Sequence, residues 1–148
     1  MNEAAGYPLH EFRTHRRVEF ADTDMGGIVH FSRFFVFMET AEHEFLRALG
    51  AEVHMSFEDR EIGWPRVEAS CQYLSPARLE DHLEIHVRVA RKGEKSMTYA
   101  FTFSCGDNII ARGRMSSVCC QMNASGGLKA IPIPAIIADR IGEPTLIA

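Results

Sequence analysis

Residues 31–50, FSRFFVFMETAEHEFLRALG, carry the clearest periodic pattern in the chain. Apolar side chains recur there every three or four residues, at Phe31, Phe34, Phe35, Met38, Ala41, Phe45 and Leu49. Charged and titratable residues occupy the other faces, at Arg33, Glu39, Glu42, His43 and Arg47. This spacing predicts an amphipathic helix of about five turns. Ser32 is its expected N-cap, and Gly50 is expected just beyond its C-terminal end.

Alternating apolar and polar residues predict one strand before this helix and four strands after it. The expected strands cover residues 12–20, 67–74, 82–90, 96–104 and 109–122. The apolar side chains expected to point inward from the third and fourth of them are Leu83, Ile85, Val87 and Val89, then Met97, Tyr99, Phe101 and Phe103. Short turns join the last three strands, which predicts an antiparallel meander. A short final helix is expected near Pro134.

The order of one strand, one helix and four strands predicts the fold class α+β. Most of the strands have one apolar face that must be covered, and the helix has an apolar face that must be buried. One long helix lying against a curved antiparallel sheet satisfies both requirements. We expect a single domain across residues 1–148, since the sequence shows no repeat, linker or second domain.

The composition is that of an ordinary globular chain: hydrophobic residues make up 46% of its 148 residues, and the net charge is −4. Domains that bind nucleic acids are usually basic, so we expect no DNA or RNA partner. No run approaches the ~18 apolar residues of a membrane span, and the opening residues, MNEAAGYPLHEF, lack the pattern of a signal peptide. The cytoplasm is therefore the expected location. Four cysteines without C-x-x-C spacing are expected to be buried free thiols: Cys71, Cys105, Cys119 and Cys120.

Residues 20–31, FADTDMGGIVHF, gather ionisable and flexible residues directly before the helix. The first N–H groups of a helix lack intrahelical partners, and the helix dipole adds about half a positive charge, so an oxyanion is stabilised there. Asp24 or Asp22 could attack a carbonyl or activate water, and Gly26 and Gly27 would let a substrate approach the backbone. The same residues could equally form a cap or a turn. A calcium loop fits poorly, because apolar residues stand where further oxygen ligands are needed.

Two stretches together resemble a known family. Residues 18–50, VEFADTDMGGIVHFSRFFVFMETAEHEFLRALG, are similar to the signature of hotdog-fold acyl-CoA thioesterases of the 4-hydroxybenzoyl-CoA thioesterase type, including their YbgC-like relatives. Residues 65–85, PRVEASCQYLSPARLEDHLEI, resemble the strand, proline turn and next strand of that family. The resemblance covers about residues 12–125. It implies a hotdog fold, in which a curved antiparallel sheet wraps a long central helix, and hydrolysis of an acyl-CoA to the free acid and coenzyme A.

The resemblance also implies roles for individual residues of the loop. The catalytic carboxylate falls on Asp24, as nucleophile or general base toward the thioester, and Asp22 becomes a structural neighbour. The oxyanion donor falls on the backbone N–H of Phe31, while Gly27 shapes the loop. His30 lies one position before the histidine of YbgC-like members, so a role cannot be transferred to it. It could contact the substrate, orient water or pack beside the loop.

The turn at residues 90–96, ARKGEKS, corresponds to a turn that contacts the nucleotide phosphates of coenzyme A in the resembled family. Its candidate substrate contacts are Arg91, Lys92, Lys95 and Ser96. A solvated hairpin turn would explain the same residues without a ligand. The resemblance further implies that two chains pair edge to edge with the active site between them, as a homodimer or a homotetramer built as a dimer of dimers. No metal or redox cofactor is expected.

Two other functions stay open at this point. A hotdog dehydratase or hydratase would act on the same thioesters, but it needs a histidine and a carboxylate across the helix entrance, and the DTDMGG loop is not that pattern. A non-catalytic acyl-CoA-binding module would bind the ligand without cleaving it. Release of free thiol from an acyl-CoA separates hydrolysis from both alternatives.

Overall fold

The computed structural model describes residues 8–52 and 54–144. Residues 1–7 of the expected opening loop lie outside the described residues. The elements follow one another as β1 (Glu11–Arg17), a 3-10 turn (Phe20–Asp22), α1 (Arg33–Ala48), β2 (Met55–Phe57), β3 (Arg60–Gly63), β4 (Arg66–Tyr73), β5 (His82–Lys92), β6 (Ser96–Cys105), β7 (Asn108–Val118), β8 (Cys120–Met122), β9 (Leu128–Ala130) and α2 (Ala135–Ala138).

The larger sheet has five antiparallel strands in the order β1-β5-β6-β7-β4. Strands β5, β6 and β7 are consecutive neighbours, which confirms the predicted meander. Val87 pairs with Phe101, and Phe101 pairs with Gly113, so the inward faces of the three strands align. The two edges of this sheet are β1 and β4.

Helix α1 packs against the inward face of this sheet, and the core lies between them. All eight side chains predicted to point inward from β5 and β6 are buried. Aromatic rings cross the layer boundary, with Phe34 of α1 5.3 Å from Phe103 and Phe45 5.7 Å from Tyr99, measured between ring centroids. Each fully buried side chain of this size contributes about 1.5–3 kcal/mol. One main helix against antiparallel strands is the predicted α+β arrangement.

Two assignments on α1 were wrong. Phe31, expected in the apolar stripe, lies before the first turn and is 63% exposed. Glu42, expected on a polar face, is only 1% exposed. Its carboxylate accepts hydrogen bonds from Arg66 at 2.8 Å and from the Ser117 hydroxyl at 3.2 Å. These partners make a buried carboxylate tolerable, because a buried charge must be paired and hydrogen-bonded.

The ends of α1 differ in how well the sequence predicted them. Gly50 has φ +78, which is the left-handed conformation expected directly after a helix. Ser32 occupies the N-cap position, but its side chain makes no capping hydrogen bond and its backbone is already helical. A neighbouring side chain takes over the capping, as described below.

A second, four-stranded sheet has the order β2-β3-β8-β9 and was not predicted. The single strand expected over residues 109–122 is divided at Cys119 into β7 and β8. The N–H of Cys119 donates to the carbonyl of Lys95 beside the start of β6, and Cys120 then pairs with Gly63 of β3. Strands β2, β8 and β9 are three residues long and β3 is four, too short to show an alternating pattern.

The remaining predictions fall close to the observed structure. The final helix begins after Pro134 and is four residues long. The four cysteines are free; Cys119 and Cys120 are buried, whereas Cys71 and Cys105 are only half-buried. No helix in the described part of the chain has both the length and the apolar character needed to cross a membrane.

Candidate active site

Asp22 anchors the loop that precedes α1. It is 1% exposed, and its Oδ1 accepts hydrogen bonds from Nε and Nη2 of Arg33 at 2.9 and 2.8 Å. Its Oδ2 accepts from the N–H of Glu19, and its carbonyl accepts from the N–H of His30. Asp22 therefore ties both ends of the loop to the first residue of the helix, with its carboxylate fully occupied. This arrangement is consistent with a structural role.

Asp24 lies on the other side of the loop and is half-buried. Its Oδ1 accepts from the N–H groups of Gly26 at 2.8 Å and Ile28 at 3.3 Å, which closes a tight turn. Gly27 has φ +82, a conformation that favours glycine at this position. Among the described residues, none donates a hydrogen bond to the second oxygen, Oδ2. One oxygen thus fixes the side chain and leaves the other for a ligand.

His30 caps the start of α1 in place of Ser32. Its Nδ1 accepts the N–H of Ser32 at 3.2 Å and lies 2.8 Å from the Ser32 hydroxyl. The imidazole also stacks on the ring of Phe31, with centroids 4.5 Å apart. Since Nδ1 accepts a backbone proton, the neutral ring carries its own proton on Nε2.

The peptide bond between Phe31 and Ser32 is held by a hydrogen bond at each of its two polar groups. Its N–H, which belongs to Ser32, donates to His30, and its carbonyl oxygen, which belongs to Phe31, accepts from the Tyr73 hydroxyl at 2.8 Å. Partial burial raises the pKa of Tyr73 above its ordinary value of 10.0, so the phenol is protonated and can donate at neutral pH. The N–H of Phe31 itself donates to no acceptor in the described part of the chain. This N–H is the one that the family resemblance implies as the oxyanion donor.

Asp24 and Phe31 line one groove of about 450 Å³. Apolar side chains supply most of its remaining wall: Ile28, Val29, Phe34, Tyr73, Leu74, Pro76 and Ala77. Asp24 and Phe31 therefore border one largely apolar space at the N-terminal end of α1. A cavity of about 490 Å³ lies at the other end of the helix, but its lining contains none of the predicted site residues.

The predicted nucleotide contacts lie elsewhere on the chain, and none of them lines this groove. Arg91 faces a separate cleft on the sheet. The Nζ of Lys92 donates to the carbonyls of Ala138 at 2.8 Å and Ile141 at 3.0 Å, so it caps the end of α2. Lys95 is exposed, and Ser96 begins β6 beside it. Within one chain, the turn at residues 90–96 and the loop at residues 20–31 form no common site.

Two residues that hold this region together, Tyr73 in the groove and Arg33 beside the loop, were not singled out in the sequence. Tyr73 lies within the resembled stretch 65–85, but its partner is 42 positions away in the chain, and nothing in the local pattern reveals that contact. Arg33 was counted only as a polar helix residue, although it binds Asp22. No group of three or more potential metal ligands occurs among residues 8–52 and 54–144.

Comparison with known proteins identifies the family. A family model described as the thioesterase-like superfamily matches residues 18–141. The 1,4-dihydroxy-2-naphthoyl-CoA hydrolase of Thermosynechococcus vestitus is 27% identical over 128 residues, 86% of this chain and 84% of that protein. The acyl-CoA thioester hydrolase YbgC of Escherichia coli strain CFT073 is 29% identical over 133 residues, 86% and 94% of the two chains.

The fold is also found in solved structures. The structure of a gentisyl-coenzyme A thioesterase superposes with a TM-score of 0.77 and 31% identity, and the match covers 88% of this chain and all of that one. Since the family model spans most of the sequence, this chain belongs to the thioesterase-like superfamily, and the enzyme class predicted from residues 18–50, a thioester hydrolase, is confirmed.

Proposed function

We propose that the protein hydrolyses the thioester of an acyl-CoA, with Asp24 as the catalytic carboxylate and the N–H of Phe31 as the oxyanion donor. The observation that carries the proposal is that Asp24 and Phe31 line the same groove at the N-terminal end of α1. The acyl-CoA substrate class is supported by the names of the two relatives and of the structural neighbour.

Asp24 can act in two ways, and both use its second oxygen, because Oδ1 is occupied by the turn. As a nucleophile, Oδ2 bonds to the thioester carbon, the carbon–sulfur bond breaks, and the thiolate leaves and takes up a proton. Water then cleaves the mixed anhydride and restores the carboxylate. As a general base, Asp24 instead takes a proton from water, whose oxygen attacks the thioester carbon, and passes the proton on to the departing thiolate.

The backbone at Phe31 stabilises the negative charge that develops on the thioester oxygen. The N–H of Phe31 lies at the positive end of α1, and a preorganised backbone donor costs no reorganisation during the reaction. Tyr73 and His30 hold the following peptide on both sides, which keeps the backbone at Phe31 in place. Removing one such donor in other enzymes costs about a hundredfold or more in rate.

The apolar wall of the groove receives the acyl group. Phe34 and Tyr73 meet edge to face, with ring centroids 5.5 Å apart, and form an aromatic side to the space. Burial of apolar substrate area against this wall supplies about 25 cal/mol per Å² of the binding free energy. A space of about 450 Å³ is large enough to hold a single aromatic ring or a short aliphatic acyl chain.

A second copy of the chain completes the site. Edge strand β4 has β7 on one side only, and apolar side chains remain exposed along it and beside it, namely Phe31, Val67, Tyr73 and Leu74. An unpaired edge next to exposed apolar side chains favours pairing with another chain. Two copies joined at this edge would place residues of one chain beside the Asp24 groove of the other, and two dimers can assemble into a tetramer.

A panel of aromatic and aliphatic acyl-CoAs tests the proposal, with free thiol as the readout. We expect catalysed thiol release from at least one substrate, and a rate that is about a hundredfold or more lower in Asp24→Asn. Tight binding without thiol release would instead indicate a non-catalytic binding module. Formation of an enoyl product without thiol release would indicate a dehydratase or hydratase.

A further inference from the structure

The face of the five-stranded sheet that points away from α1 gathers three arginines at its centre. The core residues of β5, β6 and β7 point toward α1, so the residues that alternate with them point to this outer face. Arg88 of β5 opposes Ala100 of β6, which opposes Arg114 of β7. In the adjacent cross-strand row, Thr102 of β6 opposes Arg112 of β7. The three arginines are called the arginine patch below.

The spacing of the arginine patch is set by the sheet. Arg112 and Arg114 are two residues apart on one strand, which separates their Cα atoms by about 7 Å. Arg88 lies two strands away from Arg114 in the same row, which separates their Cα atoms by about 10 Å. The patch therefore presents a fixed pattern of positive charge and does not depend on a loop.

The fold leaves the charge of the arginine patch unpaired. Among the described residues, no carboxylate forms an ion pair with Arg88, Arg112 or Arg114. Arg112 and Arg114 are exposed. The Nη2 of Arg88 donates to the Thr102 hydroxyl at 3.4 Å, and its Nε has no partner in the described part of the chain. Three unpaired positive charges thus lie together in a chain whose net charge is −4.

Two carboxylates border the patch without neutralising it. Glu11 opposes Arg88 in the register, but its carboxylate is bound to Nε2 of His86 at 2.9 Å. Glu68 of β4 lies on the same face one row from Arg114, and the two form no ion pair. The surface is therefore suited to carboxylates supplied by another molecule.

We propose that the arginine patch is a docking surface for an acidic α-helix of a partner protein. Carboxylates four residues apart on a helix are separated by about 6 Å along its axis, and those seven residues apart by about 10.5 Å. These two separations match the distances from Arg114 to Arg112 and to Arg88. A guanidinium group binds a carboxylate through two parallel N–H donors, which gives each contact a defined geometry.

Other occupants match the surface less well. A second copy of this chain stacked through the same face would bring arginines against arginines, and like charges in an interface repel. Lipid surfaces are bound by cations together with apolar anchors, and single-stranded nucleic acids by cations together with aromatic rings. The neighbours of the patch on β6 and β7 are small or carry hydroxyls, namely Thr98, Ala100, Thr102 and Ser116.

Fluorescence anisotropy of the purified protein at low ionic strength tests the proposal. The probe is a labelled alanine-based helical peptide with glutamates spaced four and seven residues apart, and the control is a scrambled peptide of the same composition and charge. We expect the ordered peptide to bind about fivefold tighter or more, and to be released at high salt. Equal affinities of the two peptides would overturn the proposal. Binding to vesicles of phosphatidylglycerol or to single-stranded RNA, but to neither peptide, would also overturn it.

Variants locate the binding. Replacing both Arg112 and Arg114 by glutamine should weaken binding of the ordered peptide by about tenfold. The matched control is the double variant Arg17→Gln and Arg47→Gln, which removes the same charge at two exposed arginines outside the patch, one on β1 and one on α1. We expect less than a twofold change from it. Equal losses in the two double variants would mean that only net charge is sensed. This test stands whether or not the protein hydrolyses acyl-CoA.

Discussion

The hydroxyl of Tyr73 donates a 2.8 Å hydrogen bond to the carbonyl oxygen of Phe31. This contact joins the last residue of edge strand β4 to Phe31, whose N–H is the proposed oxyanion donor. The following peptide is also held by His30, so the backbone at the helix entrance is fixed by two side chains. A donor aimed at a developing charge is effective only when it is held in place.

Tyr73→Phe should lower kcat about tenfold, which corresponds to about 1.4 kcal/mol, and leave KM nearly unchanged. The ring that packs on Phe34 is retained, so only the anchor of the Phe31 carbonyl is lost. Steady-state kinetics with the best acyl-CoA of the panel measures kcat and KM separately. Tyr99→Phe is the matched control, because the Tyr99 hydroxyl is buried without a partner in the described part of the chain. A rise in KM at unchanged kcat would show that Tyr73 binds the acyl group and does not position the donor.

Asp24→Asn should reduce kcat by about a hundredfold or more, at least ~2.7 kcal/mol of transition-state stabilisation. Asparagine keeps an oxygen for the N–H groups of Gly26 and Ile28, so the turn and the thermal midpoint should be preserved, as should substrate affinity. Single-turnover thiol release measures the loss of rate, and thermal unfolding measures whether the midpoint is preserved. Near-full activity in Asp24→Asn would refute the assignment even if the protein is a thioesterase.

Asp22→Asn should lower the stability of the fold more than the activity. The buried carboxylate pairs with Arg33, which is one-third exposed, so its loss should lower the free energy of unfolding by about 2 kcal/mol. The activity per folded molecule should fall less than tenfold, because Asp22 does not line the groove. Urea denaturation and kinetics on the same sample separate the two effects. A catalytic loss as large as that predicted for Asp24→Asn, without loss of stability, would show that Asp22 and not Asp24 is the catalytic carboxylate.

The sequence predicted the elements whose pattern is local and repeated. The apolar periodicity of residues 31–50 predicts α1, and the strict alternation along β5 and β6 predicts the meander, because each side chain is placed by its neighbours in the chain. The loop at residues 20–31 could be interpreted only through the family resemblance, since two aspartates before a helix are common in caps and turns.

Features that depend on distant partners were missed. Glu42 is buried because Arg66 and Ser117 come to it from strands 24 and 75 residues away along the chain. The contact of Tyr73 with Phe31 has the same origin. The four-stranded sheet was missed for a different reason: its strands are too short for alternation to be visible, and they form because long-range pairing with neighbouring strands stabilises them.

The proposed edge-to-edge dimer predicts that the chain sediments above the monomer mass at micromolar concentration. Val67 of β4 is 64% exposed in the single chain, so a second chain at this edge would bury it. Val67→Lys should then shift the population toward monomer and lower the activity. Leu128→Lys is the control, because Leu128 is 56% exposed on β9, away from this edge. A wild-type monomer in sedimentation velocity would contradict the dimer and the shared site.

Glu42 should make the stability of the fold depend on pH. Burial raises its pKa from 4.5 to about 7, and it outweighs the opposing effect of Arg66 at 2.8 Å. The groups around it from each packed element are Arg66 of β4, Ser117 of β7, Tyr99 of β6 and Glu39 of α1 itself.

A carboxyl group whose pKa is raised by folding stabilises the fold while it is protonated in both states, below about pH 4.5. That contribution is lost as the pH rises through about 7, because the unfolded chain then binds fewer protons than the folded one. The free energy of unfolding should fall by about 3 kcal/mol from this group between those limits. Glu42→Gln keeps an acceptor for Arg66 but cannot titrate, so the difference between wild type and variant should show this slope in urea denaturation at pH 5, 6, 7 and 8. A difference that is flat across the series, or that rises with pH, would mean that Arg66 keeps Glu42 ionised in the folded protein.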